Sequence, residues 1–177
     1  ANAVYDGTSC VMLSGETAGG KYPIEALQTM ASIVTETEDA IDYWHQFEKQ
    51  RVLPAANIND AVTHTCCLTA KDLDAKAILA ATSSGHSAQM ICRFRPACPI
   101  AALTMREKVR RQLNLSWGVI PFLTGEVNST DRIFSLTTDV AVKEGLVQTG
   151  DIVVITAGVP LGRSGSTNLI KAQAAGE

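Results

Sequence analysis

No apolar run in this sequence approaches the ~20 residues that a bilayer-spanning helix requires. Its first residues also lack the charged, apolar and small-residue regions of a secretory leader. An excess of one charge is missing too: 15 basic residues stand against 18 acidic ones, a net charge of −3, with no block of either sign. That leaves no electrostatic footprint for nucleic acid or for an anionic membrane surface, and neither is expected as a partner. Aromatic residues are scarce, at 5%, so few large rings are available to fill a core. The five cysteines, Cys10, Cys66, Cys67, Cys92 and Cys98, are odd in number and repeat no spacing. This argues against a disulfide framework and for a reducing, cytoplasmic setting. His64 lies near Cys66 and Cys67, but adjacent cysteines on a helix point in different directions, and one metal ion would struggle to use both. Buried small hydrophobes are the simpler reading.

What is present is an ordinary globular composition, 46% hydrophobic over 177 residues, enough for one sizeable domain and a fragment. The chain starts at Ala1 rather than Met and reads as a piece of something larger. An apolar run from Cys10 to Leu13 ends in the polar turn Ser14-Gly15-Glu16-Thr17-Ala18, and a helical pattern opens at Tyr22-Pro23-Ile24-Glu25. The pattern predicts strand, loop and helix, and catalytic groups of α/β enzymes sit where such strands stop. Glu16 can serve there as a general acid or base and Ser14 as a proton relay. Equally, Ser14 and Thr17 can cap the helix while Glu16 complements its dipole. Pro23 suits a first helical turn, and Leu27, Met30, Ile33, Val34, Thr37 and Ile41 keep helical spacing to about Trp44. From Tyr43 to Ile58 that period is lost, and Pro54 falls in the gap, so the domain boundary is placed there or slightly earlier.

Asn57 can cap the next helix, with Ile58, Ala61, Val62, Thr65 and Leu68 as its apolar stripe. Four short apolar runs follow, Ala77–Ala81, Ile100–Leu103, Val119–Leu123 and Ile152–Ile155, and each meets a threonine at once: Thr82, Thr104, Thr124 and Thr156. Runs without alternation read as strands buried on both faces. Helical patterns separate them, at about Ser87–Arg95, Arg106–Leu113 and Thr130–Glu144. The expected fold is therefore α/β, a three-layer α/β/α domain on a mostly parallel sheet of about five strands with right-handed crossovers. A last strand, about Thr167–Ala172, returns antiparallel at the edge.

Thr82-Ser83-Ser84-Gly85-His86-Ser87 joins the first of these strands to a helix. Its hydroxyls, the close backbone approach at Gly85 and the N–H groups of the helix start make an anion cradle, with phosphate as the natural guest. Serine and glycine are also common at such turns simply as caps. His86 can titrate near neutral pH or stand as an exposed loop histidine. Arg163, in the Gly-rich loop 158–166, is a candidate cation for the same anion. Trp117 is read as packing between helix and sheet. Arg106, Lys108, Arg110 and Arg111 are read as a solvated face, and so are Arg93 and Arg95, where positive charge suits a helix end.

Ala1-Asn2-Ala3-Val4-Tyr5-Asp6-Gly7, Met12-Leu13-Ser14-Gly15-Glu16-Thr17-Ala18, Tyr22-Pro23 and Glu25-Ala26 resemble the last strand and helix of the pyruvate kinase barrel. The resemblance runs on, in family order, through Thr82–Ser87, Phe94-Arg95-Pro96, Gly150-Asp151 and Ser166-Thr167-Asn168. It implies that residues 1–42 are the end of a catalytic (β/α)8 barrel, a TIM-type remnant, and that 43–177 are the C-terminal effector-binding and oligomerisation domain. It implies a parent enzyme that transfers phosphate from phosphoenolpyruvate to ADP in glycolysis, uses Mg2+ and K+, and forms homotetramers. No cofactor is expected on this fragment. The family's lysine, arginine, metal-binding Glu/Asp pair and threonine would precede Ala1, and only Ser14 and Glu16 would border the active site. No carboxylate pair with metal-ligand spacing replaces them, and Lys21 lies outside any phosphate-binding G-x-x-x-x-G-K-[ST] motif.

The same resemblance makes Thr82, Ser83, Ser84, Gly85, His86 and Ser87 a loop that holds an effector phosphate. Effector-sensitive relatives commonly carry basic residues where this loop has Ser83 and His86. Ile133, beside Arg132, stands where animal enzymes place an arginine on a second phosphate. The effector is therefore expected to be a phosphorylated small molecule, with sugar monophosphates or AMP alongside fructose 1,6-bisphosphate as candidates. A stand-alone phosphometabolite-binding or scaffold module without a catalytic parent is the alternative.

Overall fold

The structure, a computed structural model, describes residues 1–50, 57–125, 127, 129–161 and 166–176. The chain divides into two compact units, Ala1–Tyr43 and Trp44–Glu177.

In the first unit, α1 (Asn2–Tyr5) and α2 (Gly15–Ala18) precede the long α3 (Pro23–Asp39), which opens on proline as expected. The strand expected at Cys10–Leu13 does not form: these residues lie outside any helix or strand, with Val11 and Met12 exposed. A strand exists only by its ladder of hydrogen bonds to a neighbour, and among the described residues of this unit no second strand is present to pair with it. Helix α3 also stops at Asp39 rather than Trp44. Its last turn carries Glu38 and Asp39 and no basic residue, the wrong sign for the exposed carbonyls at a helix C-terminus.

A short helix, α4 (Tyr43–Lys49), occupies part of the stretch expected to lack a period, while Pro54 falls outside the described residues. Phe47 anchors it. Its ring is 4% exposed, meets Trp44 edge-on at 6.0 Å and stacks on His64 at 5.3 Å. The Lys71–Glu48 ion pair adds a second tie to the next helix.

Asn57 caps α5 (Ile58–Asp72), its Oδ1 accepting the Asp60 N–H at 2.9 Å. The buried face of α5 is not the expected stripe. Ile58, Ala61, Thr65 and Leu68 are exposed, while Asn59, Thr63, Cys66, Cys67 and Ala70 face the core. Small side chains let the helix lie close to the sheet, and the one fully buried hydroxyl among them, Thr63, donates back to the Asn59 carbonyl at 2.8 Å. Cys66 and Cys67 serve here as small hydrophobes, and burial pushes the Cys66 thiol up to about 12.

The sheet has five strands in the order β3-β2-β1-β4-β5. Strands β1 (Ala77–Ala81), β2 (Ile100–Thr104), β3 (Val119–Leu123) and β4 (Ile152–Gly158) are parallel, and β5 (Thr167–Ala174) runs antiparallel beside β4. Period-two alternation splits the strand residues between two cores. Ile78, Ala80, Ile100, Ala102 and Val154 pack with α5, α6 (His86–Cys92) and α7 (Glu107–Leu113). Ala77, Leu79, Ala101, Leu103, Val153 and Ile155 pack on the opposite face, where α8 (Thr130–Lys143) lies. Ser129 caps α8 by accepting the Arg132 N–H at 3.2 Å. The result is the three-layer α/β/α arrangement the apolar runs imply.

Of the two arginines expected on a solvated face, Arg93 is exposed as read, with an ion pair there, and Arg95 is half-buried. Arg93 pairs with Asp60 at 3.2 Å, and Arg95 lies over the Trp117 ring at 4.7 Å. Trp117 itself packs against the α5–α7 side of the core.

Candidate functional site

From β1 the chain moves outward through β2 and β3, then returns to the other side of β1 with β4. Strand order reverses between β1 and β4, and ligands of open α/β sheets bind beyond the carboxyl ends of the strands at such a point. A cleft of about 110 Å³ lies there. Its walls come from the ends of β1, β2 and β4, the loops after β2 and β3, the head of α6, one side of α8 and the start of β5.

One wall is built of hydroxyls. Thr82, Ser83 and Ser84 follow β1 directly, and Ser87 begins the buried part of α6. Thr82 extends the ladder, its N–H donating to the Leu103 carbonyl at 2.9 Å, while its Oγ1 accepts the Gly85 N–H at 2.9 Å. Gly85 has φ +85°, and a Cβ there would sit 3.1 Å from Leu113 Cδ2 and 3.3 Å from Val109 Cγ1. Glycine is needed on both counts, for the left-handed backbone and for the approach to α7. The Ser87 and Thr167 hydroxyls are bonded across the cleft floor at 2.5 Å. Thr104, 1% exposed, accepts the Arg106 N–H at 3.3 Å and so fixes the start of α7.

The opposite wall is apolar, with Leu103, Met105, Ile133, Leu136 and Ala157 among its residues. The loop between β4 and β5 is held where it leaves the sheet, because Asn168 Oδ1 accepts the Val159 N–H at 2.9 Å and its Nδ2 donates to the Val159 carbonyl at 2.6 Å. No charged residue is among the described residues that line the cleft.

Of the loop singled out from sequence, Thr82, Ser83, Ser84 and Ser87 line the cleft. Gly85 shapes it from behind, its N–H already bonded to Thr82, and His86 is exposed outside the lining. Arg163 falls outside the described residues. Thr104 and Thr124 line the cleft although sequence reasoning gave them no role; the signal was there, since each ends an apolar run. Ser166 and Thr167 also line the cleft; the sequence marks them as the end of the Gly-rich loop and the start of the last strand but gives no signal that they face a ligand. The apolar wall carried no signal, because Leu136 and Met105 look like core residues anywhere.

In the first unit, Ser14 and Glu16 form a local turn. A Glu16 carboxylate oxygen accepts the Ser14 N–H at 3.0 Å, and Thr17 Oγ1 donates to the Ser14 carbonyl at 3.3 Å. The backbone N–H groups of Glu16 and Ser14 hold the Glu16 carboxyl below its ordinary value. Both residues are exposed. Among the described residues no group of three or more His, Cys, Asp or Glu side chains could hold a metal ion, and no helix is long and apolar enough to cross a membrane.

Residues 60–172 match the family model of the pyruvate kinase alpha/beta domain, and residues 1–27 match that of the pyruvate kinase barrel domain. The chain is 47% identical over 171 residues to a pyruvate kinase of Geobacillus stearothermophilus, covering 97% of this chain and 29% of that protein. It is 44% identical over 173 residues to a pyruvate kinase of Clostridium acetobutylicum, covering 98% of this chain and 37% of that protein. A crystal structure of a pyruvate kinase from Cryptosporidium parvum superposes with a TM-score of 0.87 at 31% identity, over 98% of this chain and 34% of that one. The chain thus spans about a third of the length of these relatives. The sheet, the cleft at its switch point and these matches lead to one assignment: the chain belongs to the pyruvate kinase family, matching its alpha/beta domain and part of its barrel.

Proposed function

We propose that this chain is the effector-binding and subunit-assembly portion, residues 43–177, of a pyruvate kinase, preceded in residues 1–42 by the end of its catalytic barrel. The whole enzyme transfers a phosphoryl group from phosphoenolpyruvate to ADP with Mg2+ and K+ in the cytoplasm, as a homotetramer. The cleft at the carboxyl edge of the sheet takes a phosphorylated small molecule, a sugar phosphate or AMP. The observation that carries this reading is the convergence of hydroxyls from β1, α6 and β5, those of Thr82, Ser83, Ser84, Ser87, Ser166 and Thr167, on one cleft. A phosphoryl group needs several donors around three oxygens, and rotatable hydroxyls supply them. The seven-residue α6 adds little dipole, so the hydroxyls bear most of the anion contacts, with Arg163 as a cation from the adjoining loop.

Ser14 and Glu16 border the parent's active site in this reading. The backbone hydrogen bonds that hold Glu16 ionised favour it as a proton acceptor over a donor, with Ser14 passing protons beside it. By itself the chain is inactive, because phosphoryl transfer requires cations placed on the moving group. Calorimetry of the chain with fructose 1,6-bisphosphate, fructose 6-phosphate, ribose 5-phosphate and AMP tests the effector role. Heat from at least one is expected, and silence from all would overturn it. Turnover by the purified chain in a coupled pyruvate assay, in material free of host enzyme, would overturn the assignment of chemistry to the rest of the parent.

A further inference from the structure

Strand β3 ends the strand order, so no strand among the described residues covers its outer side. Which of its backbone groups face that side follows from the ladder. The Ile100 N–H donates to the Gly118 carbonyl at 2.9 Å, and the Thr124 N–H donates to the Thr104 carbonyl at 2.9 Å. The register is parallel, with Ala102 opposite Pro121. Successive residues of a strand address opposite neighbours with their main-chain groups, so residues 118, 120, 122 and 124 serve the ladder to β2. Val119, Pro121 and Leu123 turn theirs outward. An open edge of this kind is a template for another strand, and this one is apolar: Ile120 is 41% exposed and Leu123 52%. Its donors, however, are nearly all withdrawn. The Val119 N–H donates at 3.3 Å to the Ser116 carbonyl in the preceding turn, and proline has no N–H. Leu123 is left as the only outward donor among the described residues of β3.

We propose that Pro121 closes the β3 edge to strand addition, so that this apolar edge does not pair with a second copy of the chain. The position of the proline carries the inference. One residue earlier or later it would remove a bond of the ladder to β2; at 121 it removes no bond of the sheet and only the central donor of the open edge. A strand laid against β3 would bring a carbonyl to the pyrrolidine ring and leave it without a partner, out of water. Val119, tied to its own turn, extends the block to the start of the strand. Proline and short length are ways in which edges are kept from pairing, and β3, five residues long, has both. The exposed Ile120 and Leu123 can therefore stand at an edge without making it adhesive.

The test is to restore the missing donor. Pro121→Val places an N–H and a β-branched side chain suited to a strand at the outward position. Sedimentation velocity over a range of protein concentration compares the variant with the unaltered chain. Self-association of Pro121→Val is expected to be about tenfold or more stronger, with amide exchange at positions 121 and 123 slowing as concentration rises. Adding Leu123→Lys puts a charge on the same edge and should return association to the level of the unaltered chain. A proline that is merely tolerated at an edge predicts otherwise: equal association of Pro121→Val and the unaltered chain, or a gain that Leu123→Lys does not reverse, overturns the proposal. If the variant fails to fold, the unaltered chain decides. Its Leu123 amide exchange is expected to be independent of concentration, and slowing with concentration would show that β3 already pairs with a second copy despite the proline.

Discussion

Ser87 Oγ and Thr167 Oγ1 are 2.5 Å apart, 80 residues apart in sequence, in side chains 7% and 2% exposed. The bond ties the head of α6 to the first residue of β5, so the Thr82–Ser87 loop and an edge strand share one buried link. Removing one hydroxyl leaves the other without its buried partner, at about 1–3 kcal/mol. Ser87→Ala and Thr167→Val are each expected to lose unfolding free energy of that order, read from the shifted urea midpoint at unchanged slope. The double variant is expected to lose less than the sum, with a coupling of ~0.5–2 kcal/mol. Additive losses would show that the two hydroxyls do not depend on each other.

Gly85→Ala combines two penalties. At φ +85° an L-residue is disfavoured by about 1–2 kcal/mol, and the new methyl would press on Leu113 and Val109. The variant is expected to unfold at lower denaturant by about 1–3 kcal/mol. Val109→Ala in the same background relieves only the crowding, so it should restore part of the loss. Unchanged stability of Gly85→Ala, measured by denaturant unfolding, would mean that this turn is not held as described.

Glu107 accepts hydrogen bonds from Arg110 Nε at 2.8 Å and Nη2 at 2.7 Å, and from Arg111 Nε at 2.8 Å. These bonds hold its carboxyl down at about 2, below the ordinary 4.5. A carboxyl depressed in the folded state stabilises it above the ordinary value, and that contribution is lost as pH falls through the folded one. Glu107→Gln should therefore be less stable than the unaltered chain near neutral pH, and the gap should close between about pH 4.5 and about pH 2. The group is exposed, so the gap should be small and should shrink further in 1 M salt, at a Debye length of about 3 Å. Thermal melts across that pH range check it.

Cys66, Cys67, Cys92 and Cys98 are buried and Cys10 is exposed. Burial pushes the thiol of Cys66 up to about 12 and that of Cys98 to about 11, with Cys67 raised well above its ordinary value. Thiolate is the reactive form. One rapid equivalent per chain is therefore expected with an aromatic disulfide reagent at pH 8, with the remaining four of the five cysteines appearing only in denaturant. More than one rapid equivalent in the folded protein would contradict the burial of these four thiols.

The parallel strands were legible because each is a short apolar run closed by a threonine; β1 and β2 are buried on both faces and β4 nearly so, whereas β3, at the sheet edge, leaves Ile120 and Leu123 exposed, contrary to the expectation of burial on both faces. Helix α5 was legible as a helix through Asn57 but not in its orientation. Hydropathy weights Ile58 and Leu68 heavily, whereas close packing on a sheet selects the small Thr63, Cys66, Cys67 and Ala70. The run at Cys10–Leu13 misled because pairing is a property of neighbours and not of the run. At the cleft, the hydroxyls of Thr82–Ser87 announced themselves as a cluster. Ile133 did not, since nothing local separates an isoleucine in a ligand wall from one in a core, and only the layer order of the fold puts it opposite Ser87.

The most direct test of the proposed effector role is amide chemical-shift mapping of the isotopically labelled chain titrated with AMP. The largest saturable shifts are expected at Thr82–Ser87 and Ser166–Thr167, with side-chain methyl shifts at Ile133 and Leu136. Saturable shifts centred elsewhere, or none at millimolar AMP, would contradict the placement of the effector at the carboxyl edge of β1 and β4.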